Sequence, residues 1–193
     1  RDIEQLYNNA LLACDMLGEE AENQIAFFDV EMNKQKLWER KVEDDMDAEL
    51  VNHEFQVYLQ PKISTAQETL AGAEALVRWI HPQEGFIPPN KFIPIFERNG
   101  FILKLDDYML EEIARQQAEW IKQGRKVVPI SVNVSRAHFT KEDLAEHICS
   151  IVDKYHVPHR VIELELTESA FFDDKKVLLQ TVKKLREAGF IVS

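Results

Sequence analysis

From Val127 to Ser193 the chain alternates between segments typical of buried strands and segments typical of amphipathic helices. Strands are predicted over 127–134, 161–166 and 190–192, and helices over 140–155 and 174–188, with Thr140 as the N-cap of the first helix. Strands that alternate with helices run parallel and are joined by right-handed crossovers. The pattern therefore predicts an α/β domain, and a doubly wound sheet and a TIM-type barrel both fit it.

The first half of the chain is organised differently. Apolar periodicity predicts a helix over 3–17, a short strand over 25–28 and one long helix over 31–52. Strands are then predicted over 55–60 and 70–80, followed by a helix from about Asn90 and another over 105–122. These segments divide the chain into a short α/β tail, a connecting helix and the α/β domain.

The predicted strand over 70–80 carries a carboxylate and a guanidinium among apolar residues. Side chains alternate between the two faces of a strand, so Glu74, Leu76 and Arg78 share one face. Buried charges are costly unless they are paired or bound to a metal. Two interpretations fit: a structural salt bridge, or a metal ligand beside an arginine that binds phosphate.

Further polar residues are expected near the ends of other predicted strands, namely Gln60, Asn133, Glu163 and Glu165. Each has a structural alternative. Gln60 before Pro61 suits a strand end, Asn133 suits a turn, and the two glutamates suit the solvent face of an edge strand. In a parallel barrel, however, side chains at the carboxyl ends of the strands converge on one mouth.

Four motifs occur together in a fixed order and give the chain a family resemblance. They are Tyr58-Leu59-Gln60-Pro61, Glu74-x-Leu76-x-Arg78, Ser131-Val132-Asn133-Val134-Ser135 and Glu165-Leu166-Thr167-Glu168. From about Glu54 to Ser193 the chain resembles EAL domains, phosphodiesterases that open the bacterial second messenger cyclic di-GMP. The resemblance favours the barrel, and the expected fold is a partial TIM-type (β/α)8 barrel over 53–193.

The resemblance also implies a role for each motif residue. Glu74, Asn133 and Glu165 would bind Mg²⁺ or Mn²⁺ in a two-metal site, and Glu168 would be the catalytic residue that holds an active-site loop. Gln60, Leu76 and Arg78 would contact the dinucleotide.

Later motifs of this family would follow Ser193, so we expect a C-terminally truncated domain that is inactive alone. A parent protein would hydrolyse cyclic di-GMP, and the alternative is an EAL-like domain that binds it as a sensor. Residues 1–30 loosely resemble the end of a GGDEF domain, with 31–52 as a connector.

Composition limits the classes of partner and the cellular location expected for the chain. The net charge is −11, which argues against general nucleic-acid binding. No apolar stretch reaches the roughly 18 residues of a membrane helix, so no membrane segment is expected. Cys14 and Cys149 have no metal or redox spacing, which favours reduced thiols and a cytoplasmic location. Open strand edges predict self-association, as a homodimer or by exchange of elements.

Overall fold

The computed structural model describes residues 3–15, 25, 27–140, 143–166 and 175–193. The chain divides into two compact units, Arg1–Asp47 and Ala48–Ser193. Six α-helices are described: α1 (Ile3–Asp15), α2 (Val30–Val51), α3 (Ile93–Asn99), α4 (Ile102–Lys122), α5 (Leu144–Asp153) and α6 (Lys175–Glu187). The described strands are β1 (Phe55–Ser64), β2 (Thr69–His81), β3 (Gly85–Ile87), β4 (Ile130–Val134), β5 (Ile162–Leu166) and β6 (Ile191–Val192). Among the described residues, no helix combines the length and the apolar character needed to cross a membrane.

The first unit contains α1 and most of α2. The carboxylate of Asp29 accepts the backbone N–H groups of Glu31 at 2.6 Å and Met32 at 3.0 Å, which defines the start of α2. The predicted long helix is therefore present. The strand predicted over 25–28 is wrong, because Ile25, Phe27 and Phe28 are not in a strand. A strand needs a hydrogen-bonded neighbour, and the described ladders give this segment none.

The second unit is built on a mixed sheet with the strand order β1-β2-β4-β5-β6, and β3 also pairs with β2. β1 and β2 form a long antiparallel hairpin, whereas β2, β4, β5 and β6 are mutually parallel. The parallel arrangement predicted from the alternation of strands and helices is confirmed.

One face of this sheet is apolar and packs against the helices. Its residues from β4 and β5 include Ile130, Val132, Ile162 and Leu164, all at most 2% exposed, and they form one core with residues of α4, α5 and α6. Inside that core, the fully buried Gln117 of α4 donates hydrogen bonds to the carbonyls of Val128 at 2.9 Å and Val161 at 3.0 Å. The amide group of Gln117 thus supplies hydrogen bonds to backbone carbonyls that lie just before β4 and just before β5.

Several element boundaries differ from the predictions. β1 continues through Pro61 to Ser64, because an edge strand tolerates a proline. Residues 85–87, to which no strand was assigned, form β3 by pairing with the end of β2. Thr140 is not the N-cap of α5: it ends a 3₁₀ turn, Arg136–Thr140, in which His138 and Phe139 are buried, and the N-cap is Asp143.

Candidate functional site

The second face of the sheet carries the polar motif residues. Gln60 pairs with Glu74 across the hairpin, and Glu74 pairs with Ser131 of β4, which in turn pairs with Glu163 of β5. Two residues further along the parallel strands, Asn133 pairs with Glu165. Residues that pair in register share a face. Glu74, Asn133 and Glu165 therefore lie on one face of three neighbouring strands, as their positions in the sequence predict.

The structural salt bridge, one of the two interpretations of Glu74 and Arg78, is not formed between these two residues. The Arg78 guanidinium donates to the Val77 carbonyl at 2.8 Å and lies 6.0 Å from the centroid of the Tyr58 ring. The side chain of Glu74 makes no hydrogen bond or ion pair with any residue that the structure describes. The half-buried carboxylate of Glu74 is thus available for a cation.

A cleft of about 250 Å³ lies beside the middle of β2 and the end of β4, and residues from both faces of the sheet line it. Leu76, Arg78 and Asn133 line it together with residues of α3 and α4, including Ile93 and Leu105. Gln60, Glu74 and Glu165 share the sheet face but are not part of this lining. Glu168, the predicted catalytic residue, lies outside the described residues. The structure therefore brings three of the predicted residues to one cleft and places three more on the same sheet face.

Asp106 was not identified from the sequence, although it lines this cleft. Its Oδ2 atom accepts the backbone N–H of Ser135 at 2.9 Å and lies 3.4 Å from Nε2 of the buried His138. Ser135 follows β4 directly, two residues after Asn133. Asp106 on α4 thus holds the end of the strand that carries Asn133. No spacing rule in the sequence links it to a residue 29 positions away.

Lys62 was also missed. Its Nζ atom lies 3.7 Å from Oε2 of Glu163 and 3.6 Å from Oε2 of Glu165. The alternation of β1 already places Lys62 on the same face as Gln60, and that was the available signal. The contact itself joins β1 to β5, which are separated in the sheet by β2 and β4. It shows that the polar face is concave.

The donor set on this concave face fits a hard divalent cation. Carboxylate and amide oxygens suit Mg²⁺ or Mn²⁺, and neither a thiol nor an imidazole is among the three predicted ligands. Oε2 of Glu165 is buried and accepts no hydrogen bond within the described part of the chain. The Lys62 ammonium lies beside it at 3.6 Å but beyond hydrogen-bond distance, so this oxygen retains lone pairs for a metal ion.

A buried carboxylate–histidine pair, distinct from Asp106 and His138, lies elsewhere in the second unit. Oε1 of the buried Glu49 is 3.4 Å from Nε2 of the buried His81. Nδ1 of His81 accepts the backbone N–H groups of Gln83 and Glu84, each at 3.1 Å. Because Nδ1 is an acceptor, the ring proton lies on Nε2 and faces Glu49. The pair fixes the end of β2 and is separate from the concave face.

Comparison with known proteins gives several relatives that are named as cyclic di-GMP phosphodiesterases. The bifunctional diguanylate cyclase/cyclic di-GMP phosphodiesterase MucR of Pseudomonas aeruginosa is 28% identical over 98% of this chain, which covers 28% of that protein. The cyclic di-GMP phosphodiesterase NbdA of the same organism is 27% identical over 98% of this chain, which covers 24% of it. The chain thus spans about a quarter of the length of these curated relatives.

Solved structures agree with the sequence relatives. The structure described as "PaMucR Phosphodiesterase, c-di-GMP complex" matches 79% of this chain and 62% of its own, with a TM-score of 0.73 and 28% identity. A structure of the EAL enzyme Bd1971 matches the whole chain and half of its own, with a TM-score of 0.72 and 23% identity, and supports the fold alone. These matches confirm the predicted TIM-type α/β class. The EAL domain model matches residues 43–193, and the chain belongs to the EAL domain family.

Proposed function

We propose that this chain supplies the dinucleotide-binding face and part of the metal site of a domain that hydrolyses cyclic di-GMP to the linear dinucleotide. The observation that carries the proposal is the placement of Glu74, Asn133 and Glu165 on one concave face, with Arg78 in the adjoining cleft. A relative of 28% identity has been solved as a cyclic di-GMP complex, which supports the choice of substrate.

In this proposal Arg78 binds a phosphate of the dinucleotide. A guanidinium has five N–H donors in a planar fork, and the Val77 carbonyl takes a hydrogen bond from only one nitrogen. The remaining donors suit two phosphate oxygens. Leu76 provides an apolar contact in the cleft, and Gln60 provides amide groups from β1.

The reaction is attack of a water oxygen on phosphorus, with cleavage of one bond between phosphorus and a ribose oxygen. The water gives up a proton, and the ribose oxygen takes up a proton and leaves as a hydroxyl group. Glu74, Asn133 and Glu165 would hold Mg²⁺ or Mn²⁺ for this step. Such cations supply an activated water and neutralise the charge of the phosphate. Glu168 belongs to the proposal as the residue that positions an active-site loop.

Calorimetric titration with cyclic di-GMP, with and without Mn²⁺, tests the binding part of the proposal. Arg78→Ala should weaken binding at least tenfold, the cost of about one charge-assisted hydrogen bond. Arg125→Ala removes an exposed arginine outside the cleft and should leave binding unchanged. Equal affinity in Arg78→Ala and in the unaltered chain would contradict the proposal.

Chromatography of the nucleotide products tests the hydrolysis, with the 193-residue chain and with longer chains that contain it. Linear dinucleotide formed by a longer chain in the presence of metal supports an enzyme. Binding without product in every chain would instead support the sensor that the sequence leaves open as an alternative.

The remaining assignments are part of the same proposal. We assign residues 1–30 to the tail of a GGDEF domain and the residues that follow to a connector. The alignment to MucR supports this assignment, because it covers 98% of this chain and so extends upstream of residue 43, where the EAL match begins. Self-association is supported by the edge position of β1, whose Tyr58 and Ile63 are more than half exposed. The free thiols of Cys14 and Cys149 suit a cytoplasmic location.

A further inference from the structure

Lys62 occupies an unusual position at the edge of the sheet. The register of the β1–β2 hairpin shifts between Lys62 and Ile63, and bulges of this kind redirect side chains. The residue opposite Lys62 is Gly72, which has no side chain to block the concave face. A Cβ atom at Gly72 would lie 2.9 Å from the Pro129 carbonyl oxygen, so close approach of the backbones requires glycine there.

From this position the Lys62 side chain reaches across the concave face to β5. Its ammonium lies within 4 Å of two carboxylates, those of Glu163 and Glu165. Both distances exceed that of an ordinary hydrogen bond. The lysine side chain is 40% exposed and that of Glu165 is 38% exposed. Ion pairs with this exposure contribute little to stability, so stability alone is a weak reason for the arrangement.

The same contact has a large electrostatic consequence for a metal ligand. Glu165 is one of the three residues assigned to the divalent cation, and Lys62 places a positive charge beside the oxygen that would donate to it. A cation bound at that oxygen and the ammonium of Lys62 would repel each other over a few ångströms. Lys62 also neutralises one of the two neighbouring carboxylates of β5.

We propose that Lys62 is an internal competitor of the divalent cation for Glu165 and sets the metal affinity of the site. In the metal-free chain Lys62 compensates the charge of Glu165, and metal binding displaces the ammonium from that carboxylate. Lys62 is a positioning residue in this account, since it acts through Glu165. The inference rests on the proposed function, which assigns Glu165 to the metal.

A titration with Mn²⁺ alone tests the inference without an activity assay. Binding is measured as the loss of the electron paramagnetic resonance signal of the free ion. Lys62→Met keeps an unbranched side chain, shorter by one atom, and removes its charge. It should tighten Mn²⁺ binding by roughly five- to tenfold, as expected for one charge near a partly exposed site. Lys62→Arg keeps the charge and should stay within about twofold of the unaltered chain.

Lys122→Met is the matched control, because it removes the same charge from an exposed lysine at the end of α4. It should leave Mn²⁺ affinity unchanged. Circular dichroism melting of each variant separates a loss of folding from a change in affinity.

The outcomes distinguish the inference from the proposal on which it rests. Equal or weaker Mn²⁺ binding by Lys62→Met, when the unaltered chain binds the ion, overturns the inference and leaves the proposed function intact. Binding by Lys62→Met alone supports the inference. If neither chain takes up Mn²⁺, the inference and the metal part of the proposed function are both overturned.

Discussion

Asn133 of β4 lies directly beside Glu165 of β5 in the parallel register, so an amide and a carboxylate project together from neighbouring strands. If Glu165 binds the metal as proposed, Glu165→Gln should lower Mn²⁺ affinity by at least tenfold, because it replaces an anionic group with a neutral one. Glu119→Gln, an isosteric change at an exposed position of α4, is the control. Mn²⁺ titration of both variants checks the prediction, and similar affinities for the two would contradict it.

Asp106→Ala should loosen the end of β4. The Ser135 N–H loses its acceptor, and we expect its hydrogen exchange to accelerate about tenfold or more, in line with the loss of a charge-assisted hydrogen bond. Asp107→Ala is the matched control, because Asp107 pairs with the partly exposed His147 instead. The exchange rate of the Ser135 amide is measured by NMR in both variants. Equal rates in Asp106→Ala and Asp107→Ala would contradict this role of Asp106.

Gln117→Leu should lower the free energy of unfolding by roughly 2–4 kcal/mol. The substitution removes the donor to the buried Val161 carbonyl and to the partly buried Val128 carbonyl, and an unsatisfied buried group costs about 1–3 kcal/mol. Gln116→Leu alters the preceding, half-buried residue and should change stability by less than about 1 kcal/mol. Urea denaturation of the two variants gives the comparison, and equal stabilities would argue against the bridging role.

The carboxyl group of Glu111 should make the free energy of unfolding larger at neutral pH than at acidic pH. A hydrogen bond from Lys154, and then one from Tyr155, lowers the pKa of Glu111 below its ordinary value of 4.5. A lowered folded-state pKa stabilises the protein above the unfolded-state pKa, and that stabilisation is lost as the pH falls through the folded-state pKa.

Glu111→Gln should therefore lower the free energy of unfolding at pH 7, by less than about 1 kcal/mol because the pair is partly exposed. The difference from the unaltered chain should shrink as the pH falls below about 4.5. Urea denaturation at pH 7 and pH 3.5 checks this, with Glu119→Gln as the control on the same helix. A difference that grew at low pH would have the wrong sign.

Strand periodicity predicted the polar face correctly, because the side of a strand on which a residue lies depends only on its parity. Glu74, Leu76 and Arg78 could be assigned to one face for that reason. The contact between Lys62 and Glu165 could not be predicted, since it depends on a bulge and on the curvature of the whole sheet. The role of Asp106 could not be predicted from the sequence, because only tertiary packing brings Asp106 close to Ser135.

Local propensity failed where tertiary context decides the structure. Thr140 has the chemistry of an N-cap, but it belongs to a 3₁₀ turn in which Phe139 is buried. Residues 25–28 have strand composition, yet strand formation requires a neighbouring strand as well as suitable residues. The roles of the individual site residues stay predictions.

The hairpin of β1 and β2 has a consequence for the order in which the concave face is assembled. Gln60 and Glu74 meet through a short connection, whereas Glu74 meets Ser131 only after α3 and α4 have intervened. Closing a short loop costs less conformational entropy and proceeds faster than closing a long one. We expect pulse-labelling hydrogen exchange to protect the hairpin before β4, so that β1 and β2 form a template on which β4 and β5 dock.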